Sequence, residues 1–340
     1  MSQQIDQQYR FIAVETPLGK NKLTLTEIHG GEKLASLFQY RLTCLSDDLA
    51  IDHTEIVGKK ITFSVKIANR EIRHYNGYVS SFHAGDLFDW GDQKGKLRYY
   101  RINVVPWVWF LGRSSDCRIF QEKTIPDIIK IIFDECGVND YQEKLSGSYS
   151  PHTYCVQYRE TNLDFVLRLM QEAGIAFYFE HSEGSHTLVM TDSNSKFPAC
   201  PDADLICASG TLGEDRISSW EKGMVFPTGK YAQRSFNFET PSTDLTTTTV
   251  GLSDLSDASN YEIYDYPGEY SEKSVGNDET VIRMEEVEVG HIIAAGSSDV
   301  RTLQVGNTFK MAGHLVKEEE NEEYLLTDVQ INAEDYTMLN

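Results

Sequence analysis

Five residues capable of proton chemistry stand close together in VQYRETNLDFVLRLMQEAGIAFYFEH, residues 156–181: Arg159, Glu160, Asp164, Glu172 and His181. Carboxylates beside an imidazole can serve general acid–base catalysis when they share a cleft. The spacing here points to a scaffold instead. Thr161 and Asp164 hold the positions of a capping box, and Gly174 that of a helix stop. Arg159 and Glu160 then orient the entry turn, and the aromatic residues after Gly174 pack as a strand. No catalytic residue is assigned.

Other chemistries find no support. The sequence has no G-x-x-x-x-G-K, G-x-G-x-x-G or H-E-x-x-H. GLSDL (251–255) begins like a nucleophile elbow but lacks its second glycine. HGGE (29–32) has the composition of an oxyanion loop, with nothing else of a hydrolase around it. Cys44, Cys117, Cys136, Cys155, Cys200 and Cys207 form no C-x-x-C pair and are read as buried free thiols. His181 and His186 fall in a hairpin, EHSEGSHT, and are read as solvated. No metal ligand set and no cofactor site is expected.

Charge limits the partners. The chain holds 52 Asp and Glu against 31 Lys and Arg, a net charge of −21. From Pro241 onward the balance is 21 acidic to 5 basic residues. Such a field repels phosphate, so neither nucleic acid nor an anionic membrane is expected as a partner. The acidic third is either a solubilising surface or a face for a basic partner. The longest apolar run, VVPWVWFL (104–111), is far short of the ~20 residues a membrane helix needs. MSQQIDQQYRFIAV shows no leader pattern. The expectation is a protein folded in the cytoplasm, without a direct membrane anchor, and exported without a cleaved signal peptide if at all.

The elements that must position these residues change period along the chain. ITFSVKI (61–67) and FQYRLTC (38–44) alternate apolar with polar residues, as half-buried strands do. LRYYRINVVPW (97–107) is a further strand that Pro106 ends, and HGGE, HAGD (83–86) and WGDQKG (90–95) read as turns. From about residue 111 the period becomes helical. TIPDIIKIIFDECG (124–137) places Ile125, Ile128, Ile129, Ile132, Phe133 and Cys136 on one stripe between a Thr124 cap and a Gly137 stop. The second helix repeats the device from Thr161 to Gly174, with Leu163, Val166, Leu167, Met170 and Ala173 as its stripe. Strands return at 216–226, 233–239, 302–314 and 323–333, with a surface excursion at 240–260 and a helix around 277–295. The fold class is α+β, mainly β. The division expected is a first β-domain over 1–110, built as a barrel or a sandwich, an α/β domain with two capped helices over 111–205, and a second β-domain over 206–340, interrupted at about 240–300.

The segment 156–181 resembles the signature of the VgrG family, the spike proteins of type VI secretion systems. Its matching positions include Gln157, Tyr158, Glu160, Thr161, Asp164, Phe165, Arg168, Gly174, Phe179, Glu180 and His181. Arg118, Ile119, Phe120 and Gln121 form the family's RIFQ element. LASLFQYRL (34–42), VGKKITFSV (57–65), YDYPGEY (264–270), LQVGNTFKMAGH (303–314) and EYLLTDV (323–329) match in order. The resemblance runs from about Tyr9 to Ala333, with Gln171 in place of a usual acidic residue. It implies the fold of a contractile phage tail hub, with two similar β-barrel domains and an α/β insertion. It also implies a homotrimer whose six barrels mimic a sixfold tube and adapt the hexameric tube protein Hcp to a threefold needle. Baseplate components and effector or adaptor proteins are the further partners implied. Family members continue into an OB-like domain and a β-helical needle, so the sequence is expected to represent the base alone. A baseplate hub of a phage or phage-like contractile tail is the near alternative, and a cell-wall-degrading enzyme the alternative of another class. The signature residues are expected to be structural.

Overall fold

A computed structural model of the chain describes residues 6–67, 71–89, 95–207 and 215–337. The turn expected at WGDQKG lies outside these apart from Gly95. In chain order the elements are β1 (Ile12–Glu15), β2 (Thr24–Lys33), β3 (Gln39–Ser46), β4 (Lys60–Lys66), β5 (Ile72–Asp89), β6 (Lys96–Val105) and β7 (Ser115–Phe120). Then come α1 (Ile125–Glu135), β8 (Tyr141–Lys144), β9 (Cys155–Thr161), α2 (Asn162–Glu172), β10 (Ala176–Ser182), β11 (Ser185–Thr191) and β12 (Ala199–Ile206). They are followed by β13 (Ile217–Met224), β14 (Lys230–Ser235), β15 (Leu245–Val250), β16 (Glu262–Asp265), α3 (Lys273–Glu288) and β17 (Ile292–Ser298). The last strands are β18 (Thr308–Ala312), β19 (Glu323–Leu325) and β20 (Asp328–Glu334). The protein is mainly β.

The described residues fall into two compact units, one within Met1–Gln171, Ile175–Ile206 and Val300–Asn340, the other within Cys207–Asp299 with Glu172–Gly174. In the first, seven strands form one sheet in the order β1-β4-β5-β6-β3-β2-β20. Its period-two strands bury the expected faces: Ile61, Phe63 and Val65 on β4, and Tyr40, Leu42 and Cys44 on β3 with Phe38 just before it. An aromatic cluster fills this core. Phe63 stacks on Tyr75 at 5.1 Å, and Tyr40 meets both rings edge-on at 5.1 and 5.5 Å. Each such pair adds about 0.5–1.5 kcal/mol beyond the area it buries.

One edge of β2 is divided between the two ends of the chain. From Glu27 to Lys33 it pairs antiparallel with β20. Nearer its start, a side chain takes the place of a strand. Gln7 Oε1 accepts the backbone N–H groups of Val14 and Leu25, each at 3.1 Å, and its Nε2 donates to the carbonyls of Val14 and Leu23 at 3.2 and 2.9 Å. The amide of Gln7 thus satisfies backbone groups of β1 and of the β2 segment together, where buried polar atoms need partners. Arg10 continues the seam: its guanidinium donates to the Leu25 carbonyl at 2.9 Å and lies 3.4 Å from the Asp335 carboxylate.

The α/β portion follows the local signals. Thr124 Oγ1 accepts the Asp127 N–H at 3.3 Å, and Thr161 Oγ1 accepts the Asp164 N–H at 3.0 Å. Both helices end on a left-handed glycine, Gly137 at φ +68 and Gly174 at φ +65. The N–H after each reaches back five residues, Val138 to Phe133 at 3.0 Å and Ile175 to Met170 at 2.8 Å. The buried face of α1 is the one expected, except that Cys136 is exposed because the helix has already ended at Glu135. On α2 the stripe is rotated: Asn162, Phe165, Val166, Leu169 and Met170 are buried, while Leu163, Leu167 and Ala173 are half-buried. The rotation follows from Phe120, whose ring stacks on Phe165 at 5.7 Å.

The second unit holds the ribbon β13–β17 and a sheet β15-β14-β16 beside α3. The expected excursion at 240–260 contains β15, since its threonines are β-branched and Leu245 and Thr247 are buried. The helix expected near 277–295 runs instead over Lys273–Glu288, and Ile292 already lies in β17. Tyr270 ties this sheet together, its hydroxyl donating to the Leu245 carbonyl at 2.6 Å.

Candidate functional site

The signature residues gather into two polar clusters. The first is built on β7 and β9, which pair antiparallel with Arg118 opposite Gln157. Arg118 donates to Gln157 Oε1 at 3.0 Å and Asn162 Oδ1 at 2.9 Å, and pairs with the carboxylates of Glu135 and Asp116. Gln157 is fully buried and donates onward to Asn162 Oδ1 at 2.9 Å. A planar five-donor fork suits this arrangement, which a lysine could not reproduce. Arg159 is the extra residue of a bulge between the Asp116 and Cys117 pairings, and it takes a left-handed φ of +54. Beyond it, Arg168 pairs with Glu160 at 2.7 Å and donates to the Val156 carbonyl at 3.1 Å, joining α2 to β9. The Thr161 hydroxyl donates to the Asp164 carboxylate at 2.7 Å.

The second cluster joins the hairpin β10–β11 to the seven-stranded sheet. His181 Nε2 lies 2.8 Å from Glu32 Oε1, which also accepts the Tyr40 hydroxyl at 2.8 Å. The Asn76 N–H donates to His181 Nδ1 at 3.1 Å, so the ring hydrogen sits on Nε2 and points at Glu32. His186 has the opposite tautomer. Its Nε2 accepts the Trp107 N–H at 3.0 Å, and its Nδ1 donates to Asn76 Oδ1 at 2.9 Å. Asn76 completes its set by donating to the Ile61 carbonyl and Thr62 Oγ1, both at 3.0 Å.

The side chains of both histidines are buried, with His186 at 1% exposure, against the solvated hairpin expected. The difference is tertiary: their strand face is turned onto Phe38, Tyr75 and Asn76 rather than onto water. Burial pushes the His186 imidazole down to about 3, with the nearby His181 and Lys60 adding to it. Burial alone would raise the Glu32 carboxyl, but His181, Tyr40 and the Arg73 charge together hold it below the ordinary carboxylate range. Both nitrogens of each ring are engaged, and through them the cluster joins the hairpin to the seven-stranded sheet.

The remaining signature residues divide by exposure. Phe120, Phe165 and Phe179 are buried, and Glu180 pairs with Lys144 at 3.2 Å. Ile119, Tyr158 and Gln121 are exposed. Glu32, Tyr40, Asn76, Trp107 and His186 belong to the joint without having been singled out for it. The signal for Glu32 was its place on the inward face of β2 with Ile28, which makes a charged residue there an anomaly. Cys44, Cys155, Cys200 and Cys207 are buried, whereas Cys117 and Cys136 are exposed, against the expectation for those two. Among the described residues no three His, Cys, Asp or Glu are grouped to hold a metal ion, and no helix is long and apolar enough to cross a membrane.

Comparison with known proteins places these clusters in a family. The chain is 32% identical over 328 residues to the type VI secretion system spike protein VgrG1b of Pseudomonas aeruginosa, covering 95% of this chain and 43% of that protein. It is 31% identical to VgrG1a of the same organism, over 94% of this chain and 49% of that one. The chain therefore spans less than half the length of these relatives. Among solved structures, the Escherichia coli c3393 protein, a type VI secretion component similar to the T4 tail proteins gp27 and gp5, has the same fold at a TM-score of 0.65. The identity is 19%, over 96% of this chain and 73% of that chain. A 43 kDa tail protein of prophage MuSo2 from Shewanella oneidensis matches at a TM-score of 0.63 and 14% identity, over 96% of this chain and 95% of that chain. Residues 31–337, which take in the Arg118 cluster and the whole Glu32–His181 joint, match the phage tail baseplate hub (GPD) family. On that coverage, the chain belongs to the phage tail baseplate hub family.

Proposed function

We propose that the chain is the hub at the base of a type VI secretion spike. Three copies form a ring that seats on the hexameric Hcp tube and carries a threefold needle, with baseplate components and effector or adaptor proteins around it. The observation that carries this reading is the unbroken family match over residues 31–337, together with 32% identity to a spike protein. The domain division belongs to the same reading: a β-barrel over 1–110, an α/β portion over 111–205 and a second, interrupted β-barrel over 206–340. It is supported by the change from the strands β1–β6 to helices and hairpin after residue 110, and by the strands that resume beyond 206, of which β20 returns to the first sheet. The signature residues, from Arg118 to His181, hold the α/β portion together and to its sheet, and take no catalytic part. The protein leaves the cell with the spike.

A hub in a phage or phage-like contractile tail is favoured by one observation, the fold shared with the prophage tail protein over 95% of that chain. Mixing the purified chain with Hcp rings and weighing the products by light scattering tests the first reading. Complexes of three chains per hexamer are expected. A chain that stays monomeric across concentration and salt, and leaves Hcp rings free, overturns it.

A further inference from the structure

The ribbon β13–β17 has seven paired positions, from Ile217↔Ser298 to Met224↔Ile292. Of its residues only Ile217 is buried, and Trp220 and Ala294 are half-buried. At one end Met224, Val225, Phe226, Ile292 and Ile293 form an apolar group, each between 51% and 63% exposed. Two strands open to water on both faces are marginal by themselves and need a third strand or a packed surface. The outer edge of β13 is engaged at Ile217 by a bridge to Cys207. The outer edge of β17 is open: among the described residues no backbone bond from Ile292 to Ser297 reaches a third strand. Its sequence, IIAAGSS, contains neither the charges nor the proline that guard exposed edges.

We propose that the free edge of β17 receives a strand from a second copy of this chain, so that one sheet runs across two protomers. The inference rests on the hub reading above and names the seam of the ring. Charge selects the occupant. Cys207–Asp299 holds 17 Asp and Glu against 6 Lys and Arg, so most of this unit repels a like copy and attracts a basic partner. The ribbon and its ends, 216–226 and 291–298, carry only Arg216, Glu221 and Lys222. A second, equally acidic copy can approach here without that penalty, while a basic partner is drawn elsewhere. A ring of three closes by head-to-tail contacts, so the strand received is a different segment from β17 itself.

The test uses the full chain. Light scattering over a concentration series gives the trimer dissociation, and hydrogen exchange at high and low concentration gives the protection of Ile292–Ser297. The expected result is a trimer in which those amides exchange at least tenfold more slowly than in the dilute monomer. Ile293→Lys should weaken trimerisation at least tenfold while leaving circular dichroism and melting temperature unchanged. A trimer whose β17 amides stay unprotected overturns the proposal and leaves the hub reading intact, as does an Ile293→Lys chain that trimerises like the wild type. A dimer with β17 protected overturns the head-to-tail seam in favour of a twofold β17 pair. A wild-type chain that never leaves the monomer overturns both readings. Exchange is read on the unaltered chain, so a misfolding variant does not leave the question open.

Discussion

Glu32 and His181, 149 residues apart in sequence, meet at 2.8 Å with their side chains 5% and 3% exposed. Breaking such a pair leaves the surviving polar group buried without its partner, a loss of about 1–3 kcal/mol. Glu32→Ala should lower stability by about that amount in urea denaturation. Glu32→Leu combined with His181→Leu should cost less than the two single changes summed, since it leaves neither charge nor ring orphaned. Strict additivity in that cycle would show that the two residues do not act together.

His186 predicts a pH dependence. Its folded value is about 3 and its ordinary value 6.5, so between those limits the unfolded chain binds one proton more than the folded chain. Stability therefore rises with pH across this window, by up to about 5 kcal/mol. Glu32 acts in the same direction at the acid end, because its lowered folded value gives stability that is lost as pH falls through it. Denaturation midpoints measured from pH 4 to pH 7 should climb, and His186→Gln should flatten the upper part of the climb. An unchanged slope in that variant counts against the assignment.

Gln7 is tested by chemistry rather than size. Gln7→Leu strands the N–H groups of Val14 and Leu25 and should cost about 3 kcal/mol, at roughly 1–3 kcal/mol for each buried group left unpaired. Gln7→Glu keeps the acceptor and loses the donors, so it should fall between. If both variants unfold at the wild-type urea concentration, the seam is closed by other contacts.

Arg118→Lys keeps a charge but cannot span Gln157 and Asn162 with one planar group. A loss of about 2 kcal/mol is expected, and Arg118→Met should lose no less. Thermal melting of the two variants decides this.

Gly137 offers a clean backbone test, because a methyl group there meets no atom within 4 Å and only its φ of +68 objects. Gly137→Ala should cost about 1 kcal/mol. A neutral result would mean the helix end relaxes to another conformation.

Local features were legible in the sequence because their causes are local. Thr124 and Thr161 as caps, and Gly137 and Gly174 as stops, each involve partners within five residues. The alternation of Phe38, Tyr40 and Leu42 identified an inward strand face in the same way. What escaped depends on distant partners. His186 is buried because Asn76 waits for it 110 residues earlier, and nothing in EHSEGSHT reports that. The strand β15 was hidden in TTTTV, whose threonines look like low complexity until Tyr270 and β14 are placed beside them. The return of β20 to β2 joins positions some 300 residues apart, and neither edge carries a mark of the other.

The shared edge of β2 also has a mechanical meaning. Because β20 lies along β2 over seven paired positions, a pull on the chain beyond Asp335, directed along β20, loads the bonds between the two strands in shear. Bonds loaded in shear carry force together, whereas a strand peeled from its end surrenders them one at a time. The Arg10–Asp335 pair sits at the point where that load enters, and it passes part of the force to the β1 side of the sheet. Axial tension therefore spreads from one terminal strand across the whole seven-stranded sheet, as a rivet spreads the load of a strap.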